Sequence, residues 1–301
     1  MDDVVLVNVF ASEPGGGSPT PIVADASGYD AERMSAVARR YGHECAFVVP
    51  PQDPAVADFR FRFFVPRQEM SMCGHATLGT IWLLRRLGKL RGTEARIETM
   101  SGLVRGVVQH ADSPDEYVEI SQPAGSAQEI PDPTAREAIL DVLGIPAADL
   151  LPLPILNAVT SRTKTLIPLQ SVELLDALRP TFARMESLCT ALNSTGLYPF
   201  AISDISAHRF DARQFPRASG FPEDIATGVA ACALAFGLVA YDLLSFGTER
   251  ITVRQGRAMG RPSQIFVRFD MPGPAARPRG CFFGGQVVMG TEYDGTRSRH
   301  P

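Results

Sequence analysis

Cys73-Gly74-His75-Ala76-Thr77 and Asp224-Ile225-Ala226-Thr227-Gly228 stand about 150 residues apart, and each opens a long, almost uncharged stretch of helical character. A small-residue loop feeding the first turn of a buried helix presents unpaired backbone N–H groups at the positive end of the helix dipole, which attracts anions. Two such loops in one chain imply a cleft for a small acidic molecule. The flanks correspond as well. Phe61-Arg62-Phe63-Phe64-Val65 precedes the first segment and His208-Arg209-Phe210-Asp211 the second. Ser101-Gly102-Leu103-Val104-Arg105-Gly106-Val107-Val108 follows the first; Gln255-Gly256-Arg257-Ala258-Met259-Gly260-Arg261 and the strand-like run 264–269 follow the second. Strand, turn, buried helix, glycine turn and strand therefore occur twice in one order. The expected fold is α+β, in two related halves; a solenoid has a much shorter period.

A chain of 301 residues has room for two domains with their own cores. The composition shifts over residues 119–126, which sets the expected halves at 1–124 and 125–290, followed by a polar, flexible tail over 291–301. Charges nearly balance at a net −4, and no basic run exceeds Arg85-Arg86, so nucleic acid is not an expected partner. Met1-Asp2-Asp3-Val4 has no basic segment leading into an apolar one, and the most apolar window, 229–239, is about half a membrane span. A cytoplasmic protein without a membrane partner is the expectation. Cys45, Cys73, Cys189, Cys232 and Cys281 are odd in number and widely spaced, which suits free thiols in a reducing compartment.

Residues 4–10 read as a strand and 12–19, rich in glycine and proline, as a turn without regular structure. From Asp30, apolar Met34, Val37, Ala38 and Tyr41 follow helical spacing up to Gly42, a natural helix end, so His43-Glu44-Cys45 lies on the turn into a strand over 46–49. In the second half the pattern predicts helices over 134–143 and 181–192 and strands over 155–160, 165–169, 250–254, 264–269 and 286–289. No regular parallel β-α-β rhythm is visible, and no glycine-rich nucleotide loop sits between a strand and a helix.

Glu44 is the first candidate for chemistry, because a carboxylate set in an apolar wall can exchange a proton near neutral pH. His75 opens the first buried helix and Asp224 stands at the corresponding place before the second; facing each other across the cleft, they would exchange hydrogen bonds with an enol, amine or hydroxyl while the amides of Gly74, His75, Thr227 and Gly228 hold a carboxylate. Cys73 is either a thiol activated at a helix start or a small core residue. Neither Cys73-x-His75 nor His43-x-Cys45 has the usual spacing of a zinc site, so no metal is expected.

With these residues in view, nearly the whole chain resembles the phenazine-biosynthesis PhzF-like family, relatives of diaminopimelate epimerase and proline racemase. The resemblance rests on Val7-Asn8-Val9-Phe10 with its Gly-Gly-Ser-Pro turn, on Glu44-Cys45-Ala46-Phe47-Val48, on Cys73-Gly74-His75-Ala76-Thr77-Leu78-Gly79, on Pro222-Glu223-Asp224-Ile225-Ala226-Thr227-Gly228, and on Gln255-Gly256 with Gly260-Arg261-Pro262-Ser263. It implies a diaminopimelate epimerase-like fold of two pseudo-symmetric, β-barrel-like halves, each around a central helix, and a homodimer. It also implies cofactor-free acid/base isomerisation of a small acidic substrate. Carried over, Glu44 is the proton shuttle, His75 and Asp224 assist, and Ser18, Cys73, Gly74, Thr227, Gly228 and Val229 line the substrate.

The chain departs from the family pattern at Ile225, where proline is usual, and at Val229, where serine is usual. Ser18 replaces a common asparagine, and His43 stands where serine or a similar residue is frequent. The implied reaction moves a proton or double bond within an unsaturated amino or carboxylic acid of specialised metabolism, dihydro-hydroxyanthranilate-like or alkylproline-precursor-like. Two alternatives stay open. One is a racemase using Cys73, although Ile225 falls where the relatives' second cysteine would stand; the other is a non-catalytic binding or scaffold protein on the same fold.

Overall fold

The computed structural model describes residues 3–273 and 276–290; the tail expected over 291–301 lies outside them. The chain forms two compact units. One runs to Ser121 and resumes at Gly284, and the other spans Gln122–Phe283.

The first unit holds β1 (Val4–Val9), β2 (Ser18–Val23), α1 (Ala31–Tyr41), β3 (Cys45–Val49), β4 (Phe59–Val65), β5 (Gln68–Met70), α2 (Gly74–Arg86), β6 (Glu94–Thr99), β7 (Gly102–Gln109) and most of β8 (Tyr117–Pro123). Its ladder runs β1–β2 antiparallel, β2–β3 parallel, β3–β4 antiparallel, β4–β6 parallel and β6–β7 antiparallel. The second unit holds β9 (Ser126–Glu129), α3 (Pro133–Leu143), β10 (Leu156–Val159), β11 (Thr163–Leu169), α4 (Val172–Ala177), α5 (Met185–Ala191), β12 (Gly196–Asp204), β13 (Arg209–Ala212), β14 (Phe215–Pro216), α6 (Gly228–Ala240), β15 (Ile251–Gln255), β16 (Ser263–Asp270) and most of β17 (Gly280–Gly285). Its ladder repeats the order: β10–β11 antiparallel, β11–β12 parallel, β12–β13 antiparallel, β13–β15 parallel, β15–β16 antiparallel. The chain then enters β18 (Val287–Met289), which pairs with β1 in the first unit.

The ladder is mixed, as the missing regular parallel rhythm implies, yet it contains two parallel pairs in each unit. Each parallel pair is joined through helix, by α1 and α2 in the first unit, and by α4 with α5 and by α6 in the second, as parallel strands require. The short strands β5 and β14, placed before α2 and α6, disguise those pairs in the sequence.

The helix ends follow from side-chain chemistry. Asp30 caps α1 by accepting from the Arg33 amide at 2.8 Å, and Gly42 closes it with φ 67°, its N–H donating to the Ala38 carbonyl. The apolar face of α1, Met34, Val37 and Ala38, packs with Val23, Phe47 and Phe64. Helices α2 and α6 differ: both have 13 residues, carry no acidic residue in the first turn, and bury nearly every side chain. Helix α2 packs on β1, β2, β3, β7 and β18, and α6 on β9, β10, β11 and β16. A helix apolar all round is stable only as the centre of such a wrapping.

Two local expectations need correction. The turn expected over 12–19 ends earlier, because β2 begins at Ser18 despite Pro19 and Pro21. Those prolines oppose Asn8 and Leu6 of β1, and β3 joins β2 only at Ile22 and Val23, so the edge lacking proline N–H groups has no ladder to complete there. The helix expected over 181–192 splits into a 3-10 turn, Phe182–Arg184, and α5, since Thr181, just after Pro180, offers no side-chain cap to its first turn. Among the described residues, no helix is long and apolar enough to cross a membrane.

Candidate active site

In the first unit, the αL turn at Gly42 swings the chain out of α1 so that Glu44 stands one residue before β3. The carboxylate of Glu44 lies 3.9 Å from Nε2 of His75, an ion-pair distance too long for a direct hydrogen bond. The side chains are 24% and 13% exposed, respectively, so the carboxylate can be reached from solvent while the imidazole is largely covered. Burial lowers the His75 pKa below its ordinary value, against the opposing pull of the Glu44 charge, so the ring is neutral at neutral pH. It can then donate from one nitrogen and accept on the other.

The Cys73 thiol lies behind the same ring, with Sγ 3.6 Å from Nδ1 and 3.7 Å from Nε2. Cys73 is the N-cap of α2 without a side-chain cap bond; its carbonyl accepts from the Thr77 amide at 3.0 Å and the Thr77 hydroxyl at 2.8 Å. Cys45, by contrast, is chemically quiet, its thiol pushed up to about 12 chiefly by burial. Ser18 is buried at the start of β2, paired with Val9.

In the second unit the loop before α6 is organised by Gln255, buried at the end of β15. Its Nε2 donates to the Asp224 carbonyl at 2.8 Å and the Thr227 hydroxyl at 3.3 Å, while its Oε1 accepts from the Thr227 amide at 3.3 Å and the Tyr198 hydroxyl at 3.1 Å. The Thr227 hydroxyl donates to Oδ2 of Asp224 at 3.3 Å. Gly256, at φ 80°, has no room for a side chain: a Cβ there would come 2.3 Å from the Arg261 carbonyl and 2.8 Å from that of Ile225. The structure thus groups Glu44, Cys73 and His75 in one unit and Asp224 and Thr227 in the other. Val229 is half-buried in the first turn of α6. Gln255 and Tyr198 are not among the site residues expected from the sequence; the signal for Gln255 is a glutamine beside a glycine turn, Gln255-Gly256.

Gly228 starts α6 against the ring of Phe283, 2.1 Å from where its Cβ would stand. Gly228→Ala is therefore expected to destabilise the protein by about 1–3 kcal/mol through overpacking, read as a lower midpoint in urea unfolding. An unchanged midpoint would mean that Phe283 swings aside freely.

A duplicated α+β ladder around two buried helices, with a carboxylate, an imidazole and a thiol at the start of one of them, defines a class of acid/base isomerase folds. The phenazine biosynthesis-like (PhzC/PhzF) family model matches residues 7–286, and the chain belongs to that family. It is 30% identical to the uncharacterized isomerase YddE of Escherichia coli over 88% of this chain and 89% of the relative. It is 29% identical to the trans-2,3-dihydro-3-hydroxyanthranilate isomerase of Pseudomonas aeruginosa over 91% and 92%. A crystal structure of a Bacillus anthracis phenazine biosynthesis protein of the PhzF family superposes with a TM-score of 0.83 at 25% identity, covering 95% of this chain and 96% of that one. The fold alone is shared with a probable proline racemase of Agrobacterium radiobacter, at a TM-score of 0.58 and 14% identity over 95% and 90%. The fold is accordingly of the epimerase-like α+β type, and the chain is an enzyme of the isomerase class.

Proposed function

We propose that this enzyme moves a proton, and with it a double bond, within a small unsaturated amino or carboxylic acid, with Glu44 as the shuttle. The observation that carries the reading is the Glu44 carboxylate 3.9 Å from a largely covered, neutral His75. A carboxylate reachable by substrate can take a proton from a carbon flanking the unsaturation, and the same group, now protonated, returns it to another carbon of the conjugated system. A neutral imidazole can donate to a substrate oxygen as charge develops on it and accept on its other nitrogen without adding a competing positive charge. Asp224, fixed by Thr227 and the Gln255 bonds to its loop, is the assisting carboxylate, and the first-turn amides of α2 and α6 are the groups suited to a substrate carboxylate. Ser18 and Val229 belong to the same proposed lining. No cofactor enters this scheme, and the homodimer is part of the same proposal.

The relative from Pseudomonas aeruginosa makes a dihydro-hydroxyanthranilate the first substrate to try. Val229 removes a hydroxyl from the proposed lining, so alkylidene-pyrroline acids belong beside it. A ¹H NMR time course in D₂O with both classes, comparing the wild type with Glu44→Gln, tests the reading. Deuterium appearing at a new carbon as the double bond moves, with wild type only, is the expected result; double-bond migration at equal rates in both proteins would sink it. One observation favours a second reading, α-proton racemisation through Cys73, namely the thiol lying within 3.6 Å of His75. That reading requires Cys73→Ala to abolish α-carbon exchange while Glu44→Gln spares it.

A further inference from the structure

Lys164 lies in β11 with 5% of its surface exposed, and among the described residues no hydrogen bond or ion pair reaches its ammonium. Residues two apart on a strand share a face, and Leu166 packs against Gly237 of α6, so Lys164 is on the face that meets the central helix. The pairing of Thr165 with Leu197 sets Lys164 beside Gly196, one rung earlier. Gly196 in turn pairs with Pro216 of β14, and a Cβ on Gly196 would come 2.2 Å from Nε2 of Gln214. The Gln214 carbonyl accepts from the Asp224 amide at 3.0 Å. Gln214 itself stands opposite Tyr198, two residues along from Gly196, with its side chain turned over Gly196, so Lys164 and Asp224 share one face of the sheet in neighbouring rows, with bare glycine backbone beside the lysine.

Three titratable or charged groups act on the Lys164 charge: Asp224 from the loop before α6, Arg162 from the turn before β11, and, through the sheet from its other face, Cys189 of α5. Burial pushes the Cys189 thiol up to about 11, which leaves the Asp224 carboxyl as the acid able to supply a counter-charge. The Gln214 amide is fully buried, and among the described residues neither of its side-chain polar atoms has a hydrogen-bond partner; being neutral, it supplies the ammonium no counter-charge. A buried cation is tolerated when a nearby anion compensates it, and Asp224 is the anion placed to do so.

We propose that Lys164 is a positioning residue for the reaction, its charge keeping Asp224 ionised, and that loss of this charge sets the upper pH limit of activity. The inference rests on the assisting role given to Asp224 above. Burial lowers the Lys164 pKa to about 8 despite the Asp224 charge. The positive charge is therefore present below that pH and lost above it, so activity falls as the pH rises through it.

The test is a pH profile of kcat/KM from about pH 6 to pH 10 for wild type, Lys164→Met and Lys164→Arg. The wild type should show the alkaline limb. Lys164→Met should lack it, with a plateau about tenfold lower, the equivalent of roughly one pKa unit of lost interaction. Lys164→Arg should keep the plateau and push the limb out of range, since guanidinium does not deprotonate there. A wild-type limb in either variant overturns the inference, and Lys164→Arg alone decides it if Lys164→Met fails to fold. A ¹³C NMR titration of the Asp224 carboxyl in substrate-free protein separates this inference from the proposed reaction. A midpoint that moves up in Lys164→Met supports the lysine's role even if no substrate turns over, and an unmoved midpoint rejects it even if the isomerase assignment stands.

Discussion

Glu44→Gln is expected to lower kcat and kcat/KM together by roughly a thousand- to ten-thousandfold, with KM little changed. The amide keeps the size and hydrogen-bonding shape of the side chain but cannot take a proton from carbon. An interaction used only in the transition state is removed, and that loss falls equally on both parameters. The fold should not notice. Glu44 lies on a turn held from both sides, by the Gly42 cap of α1 and the pairing of Cys45 with Phe64, and no core contact depends on its charge. Unfolding midpoints of the two proteins should therefore agree to within about 0.5 kcal/mol. Retention of more than about a tenth of the wild-type rate would be too small a loss for a general base and would transfer the role to Cys73, the other group placed at the His75 ring.

The legible parts of this chain were those in which a local residue choice fixes a local structure. Asp30 and Gly42 bracket α1, Gly144 closes α3 with φ 71°, and the uncharged runs after Cys73 and Thr227 form the two buried helices. The first constellation could be read because Glu44 and His75 each sit beside an element boundary that the sequence marks. The parallel pairings were less legible, since β4 meets β6 and β13 meets β15 only after a helix has intervened. Lys164 falls just outside the strand expected over 165–169 and is not among the site residues expected from the sequence; its meaning depends on Gly196, Gln214 and Asp224, which come near it only through three separate pairings. Gln255 is similar: its bonds reach Tyr198, Asp224 and Thr227, none closer in sequence than 28 residues.

Arg213→Met should be the most destabilising single change near the second constellation, at about 3–5 kcal/mol. The guanidinium is buried and forks onto Glu223, Nε to Oε1 at 2.8 Å and Nη2 to Oε2 at 2.7 Å. Its remaining nitrogen, Nη1, donates to the carbonyls of Leu175, Asp176 and Leu178 at 3.0, 3.3 and 3.0 Å, at the C-terminal end of α4, where a cation is favourably placed. Methionine would fill the stem's volume but leave a buried carboxylate without its partner and the three carbonyls with only their second donors, Arg179 and the Leu178 N–H. Lysine would keep the charge and lose the fork, so Arg213→Lys should recover only part of the loss. Adding Glu223→Gln to Arg213→Met should also recover part of it, because the uncompensated charge is then gone. The next residues along each segment are Gln214 and Asp224, joined by the Asp224 N–H to Gln214 carbonyl bond, so the fork and that bond are successive ties between the same two stretches. Urea unfolding of the four proteins, with kcat measured well below their melting temperatures, separates stability from positioning. A loss under about 1 kcal/mol in Arg213→Met would mean that water replaces the guanidinium easily; full destabilisation with an unchanged kcat would show that the Gln214 bond alone keeps Asp224 in place.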